Sequence, residues 1–503
     1  MGRKVSPFTA EMQITDAASD GRAVARHGEQ VVFIEGGVPG DVADVYVFRK
    51  QDKMLVGKID RLIEASPDRV SPQCAHFGLC GGCKWQNMSY EAQLKYKENQ
   101  VINTLRRIGK IEIGEALPIL GCESPYYYRN KLEFSFSDRA WVPKDQLDHF
   151  NELDLRSLGY HMPGMFDKVL DVEECLLQIP LVNEIRNELR AYARAHDLSF
   201  YNIRDNTGFL RNIVFRTSVA TGEMMIILVV NGNDMEVISP ILSHLEARFP
   251  QITDFIWIDN HKVNSVYADL PFHVWKGKPY ITENLGGFDF QIRATSFFQT
   301  NSKQAAILYG VVKTFLQEVL PPDRKRFHTI YDLYSGTGSI GIFVSDLAEK
   351  IVGIEYVRAA VEDAWENVRT NRLDNQFSFY AGDMKDLLTD ELVATEGLPE
   401  VIIADPPRQG MAPQVVRRLR ELAPEHIIYV SCKPATQARD LEMLDDLYEV
   451  VKVQPVDMFP QTAHVENVAL LKKRLTPKLK EETPSLSEES LSSENGADIS
   501  QAE

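Results

Sequence analysis

From about residue 296 onward, the chain alternates short apolar runs with helical stretches, and this alternation restricts the fold more than any other feature. The strand-like runs are residues 328–334, 350–356, 377–382, 400–405 and 426–431. Strands that alternate with helices form a mostly parallel sheet with helices on both faces. The sequence therefore predicts a doubly wound α/β domain in this region.

Two further strand-like runs, residues 448–456 and 465–471, follow without an intervening helix. Parallel neighbours need a long crossover connection, which is absent here. The last run is therefore predicted to pair antiparallel with its neighbour.

A glycine-rich loop follows the first strand of this region. Gly336, Gly338 and Gly341 open a helical stretch, and Glu355 ends the next predicted strand. Glycines let the backbone approach a ligand closely, and the acidic residue can accept hydrogen bonds from ribose hydroxyls. The pattern predicts a nucleotide-like cofactor. It fits a nicotinamide cofactor and S-adenosylmethionine equally, and a tight turn without a ligand gives the same pattern.

Polar residues also follow the later strands. Asp405 and Cys432 end two successive strands, and Glu466 lies after the connection between the last two. Ligands of open α/β sheets bind at the carboxyl ends of the strands, so we expect Asp405 and Cys432 to face one crevice, with Glu466 nearby. A thiol with a carboxylate is a pair used in covalent catalysis. The simpler interpretations are a helix N-cap for Asp405, a buried thiol for Cys432 and a solvated turn residue for Glu466. His464 is interpreted as a loop or packing residue.

Three of the six cysteines, Cys74, Cys80 and Cys83, lie close together. So few cysteines in so long a chain do not indicate a disulfide scaffold, and clustered cysteines in a reducing compartment typically bind metal. With a distant fourth thiolate, they suit zinc or an iron–sulfur cluster, and the spacing does not decide between them. Cys122 has no matching partner and is interpreted as structural.

Before residue 290 the sequence predicts two more structured regions. Short strands separated by glycine turns in residues 8–65 indicate a small barrel. Residues 89–109 have helical apolar spacing and a Ser89 start, and residues 126–290 are strand-rich and mixed. The longest strongly apolar run, Met224–Val230, is far shorter than the about 20 residues of a membrane span, and the N-terminus has no signal-peptide core. We therefore expect a cytoplasmic protein without a membrane partner.

The charge of the chain argues against a sequence-independent coat for nucleic acid. Lys and Arg number 55 against 72 Asp and Glu, a formal net charge of −17. Part of the excess is local, because residues 477–503 hold seven acids and two lysines. That segment is rich in Ser and Glu and lacks aromatic residues, so it is predicted to be a disordered tail.

Taken together, these motifs resemble the RNA uracil-5-methyltransferases. The residues that carry the resemblance are 296–301 (SFFQTN), the glycine loop, 405–408 (DPPR), 431–436 (SCKPAT) and 459–462 (FPQT) with Glu466. The likeness runs in order from the first residues to about Lys473. The N-terminal barrel resembles a TRAM domain, the RNA-binding OB-type module of the branch that acts on large-subunit ribosomal RNA.

The resemblance implies a fold, a reaction and a site. The expected fold is the doubly wound sheet of S-adenosylmethionine-dependent methyltransferases with an OB-like barrel and a central α+β domain. The expected reaction is methylation of carbon 5 of a specific uridine in 23S ribosomal RNA, with Cys432 as the nucleophile that adds to carbon 6 and Glu466 as the general base. Ser339 stands where the family often has an amide side chain. The S-adenosylmethionine contacts are expected from Gln299, Tyr334, Ser339, Glu355, Asp383 and Asp405, with Glu355 on the ribose and Asp383 near the adenine.

In the ribosomal RNA branch, the matching positions of Cys74, Cys80, Cys83 and Cys175 hold a [4Fe-4S] cluster. The resemblance thus favours the cluster over zinc. Transfer RNA enzymes of the family generally lack the barrel and the cluster, so methylation of transfer RNA is the alternative substrate. Because the reacting atoms lie in a stacked ring, the target base must be flipped. Residues 95–110 and 126–131 supply basic and aromatic groups that suit RNA or an ordinary solvated face.

The resemblance divides the chain into six segments. They are a TRAM barrel (1–65), an iron–sulfur loop (66–88), a helix packed on the catalytic domain (89–115), a central RNA-binding domain (116–290), a methyltransferase domain (291–475) and an acidic tail (476–503). We expect a monomer. Two other classes of protein stay open: a nicotinamide-dependent dehydrogenase, which leaves the pairing of Cys432 with Glu466 unexplained, and a noncatalytic RNA-binding or ribosome assembly factor.

Overall fold

The computed structural model describes residues 6–478, and its first element is a closed five-stranded barrel. The order of the strands around the barrel is β1-β2-β3-β5-β4. Alternate side chains point inward, as Val45 and Val47 do, and are fully buried. The predicted small barrel is confirmed. Its strands are β1 (Phe8–Ala17), β2 (Ala23–His27), β3 (Gln30–Glu35), β4 (Val42–Gln51) and β5 (Met54–Glu64).

A long helix and a short strand follow the cysteine-containing segment. Helix α1 (Tyr90–Arg107) begins as predicted, because the Ser89 side chain accepts a hydrogen bond from the backbone N–H of Ala92. The short strand β6 (Ile113–Ala116) lies beyond the helix.

The central region forms a seven-stranded sheet of order β13-β12-β11-β10-β7-β8-β9. Two helices, α2 (Pro180–Ala195) and α3 (Met235–Arg248), contribute apolar side chains to a core on this sheet. The strands are β7 (Lys131–Ser137), β8 (Ser157–Met162), β9 (Met165–Asp171), β10 (Leu210–Thr217), β11 (Met224–Val230), β12 (Asp254–Asp259) and β13 (His273–Lys276).

The rest of the chain builds a hairpin and an eight-stranded sheet of order β18-β17-β16-β19-β20-β22-β21-β6. The hairpin is β14 (Tyr280–Leu285) with β15 (Phe288–Arg293). The further helices are α4 (Ser302–Val319), α5 (Ser339–Phe343), α6 (Arg358–Thr370), α7 (Met384–Leu387), α8 (Asp390–Glu396), α9 (Pro413–Leu422) and α10 (Pro434–Leu444). The further strands are β16 (Phe327–Leu333), β17 (Ala348–Glu355), β18 (Phe377–Ala381), β19 (Val401–Ala404), β20 (His426–Ser431), β21 (Tyr448–Val456) and β22 (Glu466–Lys473).

This sheet has the predicted doubly wound character. Strands β16 to β20 pair in parallel, with apolar clusters on both faces. Strand β22 pairs antiparallel with both β20 and β21, which confirms the prediction for the last run. The edge strand next to β21 is β6, which lies more than 300 residues before β21 in the chain. The predicted fold class, a doubly wound sheet with a barrel and a central α+β domain, is confirmed.

The barrel, the cysteine-containing segment and the loop between two strands of the eight-stranded sheet meet at one small apolar cluster. The Trp85 indole donates to the carbonyl of Gly21 in the barrel (3.1 Å). Trp85 and Met88 also pack with Ala463, in the connection between β21 and β22. The segment after the cysteines therefore contacts the loop that leads to Glu466.

Within residues 6–478, none of the helices has the length and apolar character needed to cross a membrane. The predicted acidic tail lies, from residue 479 onward, outside the described residues.

Candidate active site

A cleft of about 1480 Å³ opens at the carboxyl ends of the parallel strands. Typical ligand pockets measure about 300–1,000 Å³, so this cleft has room for a nucleotide-sized cofactor and a second ring. All eight residues predicted for cofactor binding and catalysis line it. They are Gln299, Tyr334, Ser339, Glu355, Asp383, Asp405, Cys432 and Glu466.

The glycine loop forms one wall of the cleft by a tight turn from β16 into α5. Gly338 has φ 76° and caps α5, and a Cβ there would lie 3.1 Å from the Phe379 ring. Tyr334, just before the loop, also adopts a left-handed φ of 64°, a strained conformation for a side-chain-bearing residue. Ser339 exchanges a hydrogen bond with the Tyr309 hydroxyl (3.0 Å). The turn thus leaves the backbone of the loop open to a ligand in the cleft.

Two carboxylates hold the glycine loop in place. Glu355, at the end of β17, accepts the backbone N–H groups of Gly336 (3.0 Å) and Val357 (2.8 Å). Asp332, in β16, accepts the N–H of Gly341 with one oxygen (3.0 Å), while its other oxygen is buried without a partner. Burial raises the pKa of Asp332 to about 7. An unpaired acceptor on the cleft wall suits a ligand that carries a cationic or hydroxyl donor, as S-adenosylmethionine does.

We expect Glu355→Ala to weaken S-adenosylmethionine binding by about tenfold or more, because it removes the carboxylate that is expected to accept the ribose hydroxyls and releases the N–H of Gly336. Isothermal titration measures the dissociation constant. The matched control is Glu349→Ala, at the opposite end of the same strand β17. A Glu355→Ala constant equal to that of the control would remove Glu355 from the site.

The thiol and two carboxylates lie on three adjacent strands. Strand β20 pairs antiparallel with β22, with Ser431 opposite Asn467, so Cys432 is next to Glu466 across the ladder. Asp405 follows β19, the other neighbour of β20. It is not a helix N-cap, because α9 begins at Pro413 with Ala412 as its cap. Cys432, Glu466 and Asp405 therefore share the end of the cleft, as the strand-end argument predicts.

Burial shifts the pKa values of all three groups upward, and like charge adds to the shift of Glu466 and Cys432. Burial raises the pKa of Asp405 to about 7. Burial first, and then Asp405, raises the pKa of Glu466 to about 8. The pKa of Cys432 rises to about 11 through burial and both carboxylates, although Arg408 acts in the opposite direction. Positive charge brought into this end of the cleft would favour the thiolate and the carboxylates.

A cationic and aromatic wall faces this end of the cleft. The Arg129 guanidinium lies 5.4 Å from the centre of the Phe459 ring, and its Nε is buried without a hydrogen-bond partner. His464 packs edge-on to Phe459 (6.4 Å) and contacts an Arg408 nitrogen (3.4 Å). Burial and Arg408 lower the pKa of His464 to about 4, so the ring is neutral at pH 7. His464, interpreted above as a loop or packing residue, lines the cleft.

Two of these residues were not predicted from the sequence. Asp332 is the one acidic residue of β16 (FHTIYDL), and that single acid was the available signal. Arg129 belongs to the basic and aromatic stretch 126–131, but the cleft contains only this member of it. The position of Arg129 opposite the eight-stranded sheet depends on packing between distant segments of the chain, which local sequence patterns do not show.

The four predicted cluster ligands are neighbours in space. Burial first, and then the thiols of Cys80, Cys175 and Cys74, raises the pKa of Cys83 to about 12. Gly81 adopts φ 74° beside Pro163, so the tight loop approaches the β8–β9 turn. Within residues 6–478, however, no group of three or more His, Cys, Asp or Glu side chains is arranged to hold a metal ion. The thiols therefore suit a metal group by chemistry and proximity but do not form a closed ligand set.

Comparisons with known proteins agree with the fold and the cleft. Residues 277–474 match the model of the tRNA (uracil-5-)-methyltransferase family. An uncharacterised RNA methyltransferase of Bacteroides thetaiotaomicron is 46% identical over 461 residues, which are 91% of this chain and 100% of the relative. A Porphyromonas gingivalis protein with the same description is 44% identical over 468 residues, 92% and 99% of the two chains.

One similar crystal structure covers nearly the whole chain. It is the Pyrococcus abyssi tRNA (uracil-54, C5)-methyltransferase in complex with S-adenosyl-L-homocysteine, with a TM-score of 0.70 and 27% identity. The match covers 92% of this chain and 100% of that one.

The fold and the cleft thus define an S-adenosylmethionine-dependent methyltransferase. The chain belongs to the tRNA (uracil-5-)-methyltransferase family and is an enzyme that methylates RNA. This result excludes the dehydrogenase and the noncatalytic assembly factor.

Proposed function

We propose that the protein methylates carbon 5 of a uridine in RNA through a covalent adduct between Cys432 and carbon 6. The observation that carries this proposal is the position of Cys432 next to Glu466, across the β20–β22 ladder, in the cleft that also contains the glycine loop. Carbon 5 of uracil is a poor nucleophile, so the ring must first be activated. A thiolate that adds to carbon 6 converts the ring to an enolate, and carbon 5 then takes the methyl group.

Glu466 completes the cycle. After methyl transfer, carbon 5 still carries its original proton, and the Glu466 carboxylate is the acceptor for it. As that proton leaves, the double bond between carbons 5 and 6 forms again and the bond from carbon 6 to Cys432 breaks. Glu466 must be ionised for this step, and its pKa of about 8 means that it is largely protonated at pH 7 before substrates bind. The positive charge of the methyl donor favours the ionised form.

The methyl donor would be held along the glycine loop. The proposed contacts are Gln299, Tyr334, Ser339, Glu355, Asp383 and Asp405, all of which line the cleft. Asp405 lies between the loop and Cys432, so it stands between the proposed cofactor and base pockets. The flipped uracil would then lie between Cys432 and the Arg129–Phe459 wall.

The preferred target is a uridine in 23S ribosomal RNA, because the N-terminal barrel resembles the TRAM module of that branch. Transfer RNA is the second candidate. It is supported by the Pyrococcus abyssi transfer RNA enzyme, whose whole chain matches 92% of this one, a share that extends well beyond the methyltransferase domain. A barrel at the N-terminus is therefore weaker evidence for ribosomal RNA than the sequence alone suggests.

A direct comparison of RNA classes tests the target. Purified enzyme is incubated with methyl-labelled S-adenosylmethionine and with 23S RNA or transfer RNA that lack 5-methyluridine. The proposal expects label in 5-methyluridine of 23S RNA. Label in transfer RNA alone would establish the second candidate, and a label in neither, or on another atom, would contradict the proposed function.

We also propose that Cys74, Cys80, Cys83 and Cys175 hold a [4Fe-4S] cluster. The cluster would join the cysteine loop, residues 66–88, to the central region of the chain. Contacts around the thiols already join these segments. The N–H of Glu173 donates to the His76 ring (3.1 Å). Such a group would therefore fix the cysteine loop against the central region, and the methyl transfer itself requires no electron.

If the cluster is present, anaerobically purified protein is brown and contains about four irons per chain. We expect Cys83→Ser to lower iron content, folded yield and RNA binding several-fold, while single-turnover methyl transfer by the folded fraction changes by less than about threefold. Cys122→Ser is the matched control, because Cys122 lies outside the proposed ligand set. Stoichiometric zinc without iron would contradict the cluster. A Cys83→Ser protein that folds and binds RNA normally but loses turnover would contradict the structural role.

A further inference from the structure

The loop between β21 and β22, residues 457–465, carries Phe459 and His464 into the cleft and leads directly to Glu466. We propose that Lys97 and Tyr90, both on helix α1, are positioning residues that hold this loop through Asp457 and so align the uracil with Cys432. The proposal rests on the proposed function, because it assumes that Cys432 and Glu466 act on a uracil in this cleft.

A fully buried ion pair joins the helix to the start of the loop. Lys97 Nζ lies 2.6 Å from Asp457 Oδ1, and neither side chain has any exposed surface. The same Lys97 Nζ donates to the carbonyl of Phe459 (3.0 Å). Asp457 Oδ1 in turn accepts the N–H of Phe459 (3.1 Å), and Tyr90 donates its hydroxyl to Asp457 Oδ2 (2.9 Å). One ammonium group thus fixes both the first turn of the loop and the backbone of its aromatic residue.

The same helix also holds the middle of the loop. Gln93 donates to the Gln461 side chain (3.0 Å) and accepts the backbone N–H of Gln461 (2.9 Å). Gln461 has φ 67°, a left-handed conformation that is unfavourable for a residue with a side chain. The backbone N–H groups of Lys84 and Trp85 both donate to the Gln461 carbonyl (2.8 and 3.1 Å). The loop is therefore held in a strained shape by contacts from outside the catalytic sheet.

Stability alone is a weak reason for such an arrangement. The unfavourable free energy of removing two charges from water is about as large as the favourable free energy of their attraction. An apolar pair of similar volume therefore often gives a protein of equal stability. A buried ion pair with several further hydrogen bonds does, however, allow only one geometry. Here the fixed geometry is that of Phe459, which lies under Arg129 and faces the end of the cleft that contains Cys432.

The glycine loop takes no hydrogen bond from Lys97. Its carboxylate contacts come from β16 and β17, on the other side of the sheet centre. A displaced 457–465 loop should therefore impair alignment of the uracil while leaving binding of the methyl donor intact. This separation distinguishes a positioning role from a general loss of folding.

The test compares a single and a double variant with native enzyme at saturating RNA and S-adenosylmethionine. Lys97→Met leaves the Asp457 carboxylate buried and unpaired, so it lowers the melting temperature. Lys97→Met with Asp457→Leu makes the pair apolar and should restore much of the melting temperature. We expect both variants to bind S-adenosylmethionine within about twofold of native. In both, single-turnover methyl transfer and adduct formation with 5-fluorouridine RNA should fall by at least about tenfold.

Val101→Ala, on the same helix and fully buried, is the matched control for lost stability, because Val101 packs in the apolar core beside the sheet and its side chain has no polar group to bond the loop. It should lower the melting temperature without slowing turnover of the folded fraction. If the double variant regains native turnover together with its stability, Lys97 is structural and the proposal is wrong. Failure of native enzyme to form 5-methyluridine would instead contradict the proposed function.

Tyr90→Phe keeps the test decisive if the Lys97 variants do not fold. It removes one hydroxyl from Asp457 and leaves the ion pair in place. We expect turnover at saturating RNA to fall about threefold or more with an unchanged dissociation constant for S-adenosylmethionine. Turnover equal to native would overturn the proposal.

Discussion

Cys432→Ala abolishes methyl transfer, with a loss of at least about 10⁴-fold in single-turnover rate, while S-adenosylmethionine binds nearly as tightly as to native enzyme. The loss is large because without the thiolate carbon 5 never becomes nucleophilic. Binding of the methyl donor survives because its proposed contacts lie along the glycine loop.

The measurement is transfer of labelled methyl groups to RNA under single-turnover conditions, together with a titration of S-adenosylmethionine. Cys122→Ala is the matched control, because Cys122 is a buried thiol that does not line the cleft. It should retain native turnover. Appreciable turnover by Cys432→Ala would contradict the covalent mechanism.

Glu466→Gln should trap the methylated adduct. Addition of the thiol and methyl transfer do not need the base, whereas removal of the carbon 5 proton does. We expect overall turnover to fall by about 10²–10⁴-fold, with a stoichiometric amount of RNA covalently bound to the protein. The measurement is a denaturing gel of enzyme mixed with labelled RNA and S-adenosylmethionine. The matched control is Glu442→Gln, an exposed acid on α10, which should release product at the native rate.

Glu466 should also make the methyl transfer activity of native enzyme depend on pH. Burial and Asp405 raise the pKa of Glu466 to about 8, so the base form is the minor form below that pH. The kcat/KM for RNA, which reports the unliganded cleft, should therefore rise from pH 6 to about 8.

Release of product by Glu466→Gln at the native rate would remove Glu466 from the mechanism.

Much of the fold follows from local sequence patterns. The strand His426–Ser431 was predicted with the bounds that it has in the structure. The parallel sheet followed from strands alternating with helices, and the antiparallel β22 followed from the missing crossover. Pairing between distant segments was not predictable. Strand β6 has only four residues, and nothing in them indicates that they pair with β21.

The site was predictable where it depends on strand ends. Asp405 and Cys432 end neighbouring parallel strands, so the sheet alone brings them together. Arg129 and Lys97 come from other parts of the chain, and their positions depend on how those parts pack on the catalytic sheet. A lysine in a helix is usually solvated, so the burial of Lys97 could not be predicted from local sequence patterns.

The most direct test of the central claim is mass spectrometry of the enzyme after reaction with 5-fluorouridine RNA and S-adenosylmethionine. Fluorine at carbon 5 cannot leave as a proton does, so elimination stops and the adduct persists. We expect one modified peptide, containing Cys432 bound to a fluorouridine that carries one added methyl group. An adduct on another cysteine, or no adduct although the same enzyme forms 5-methyluridine in ordinary RNA, would contradict it.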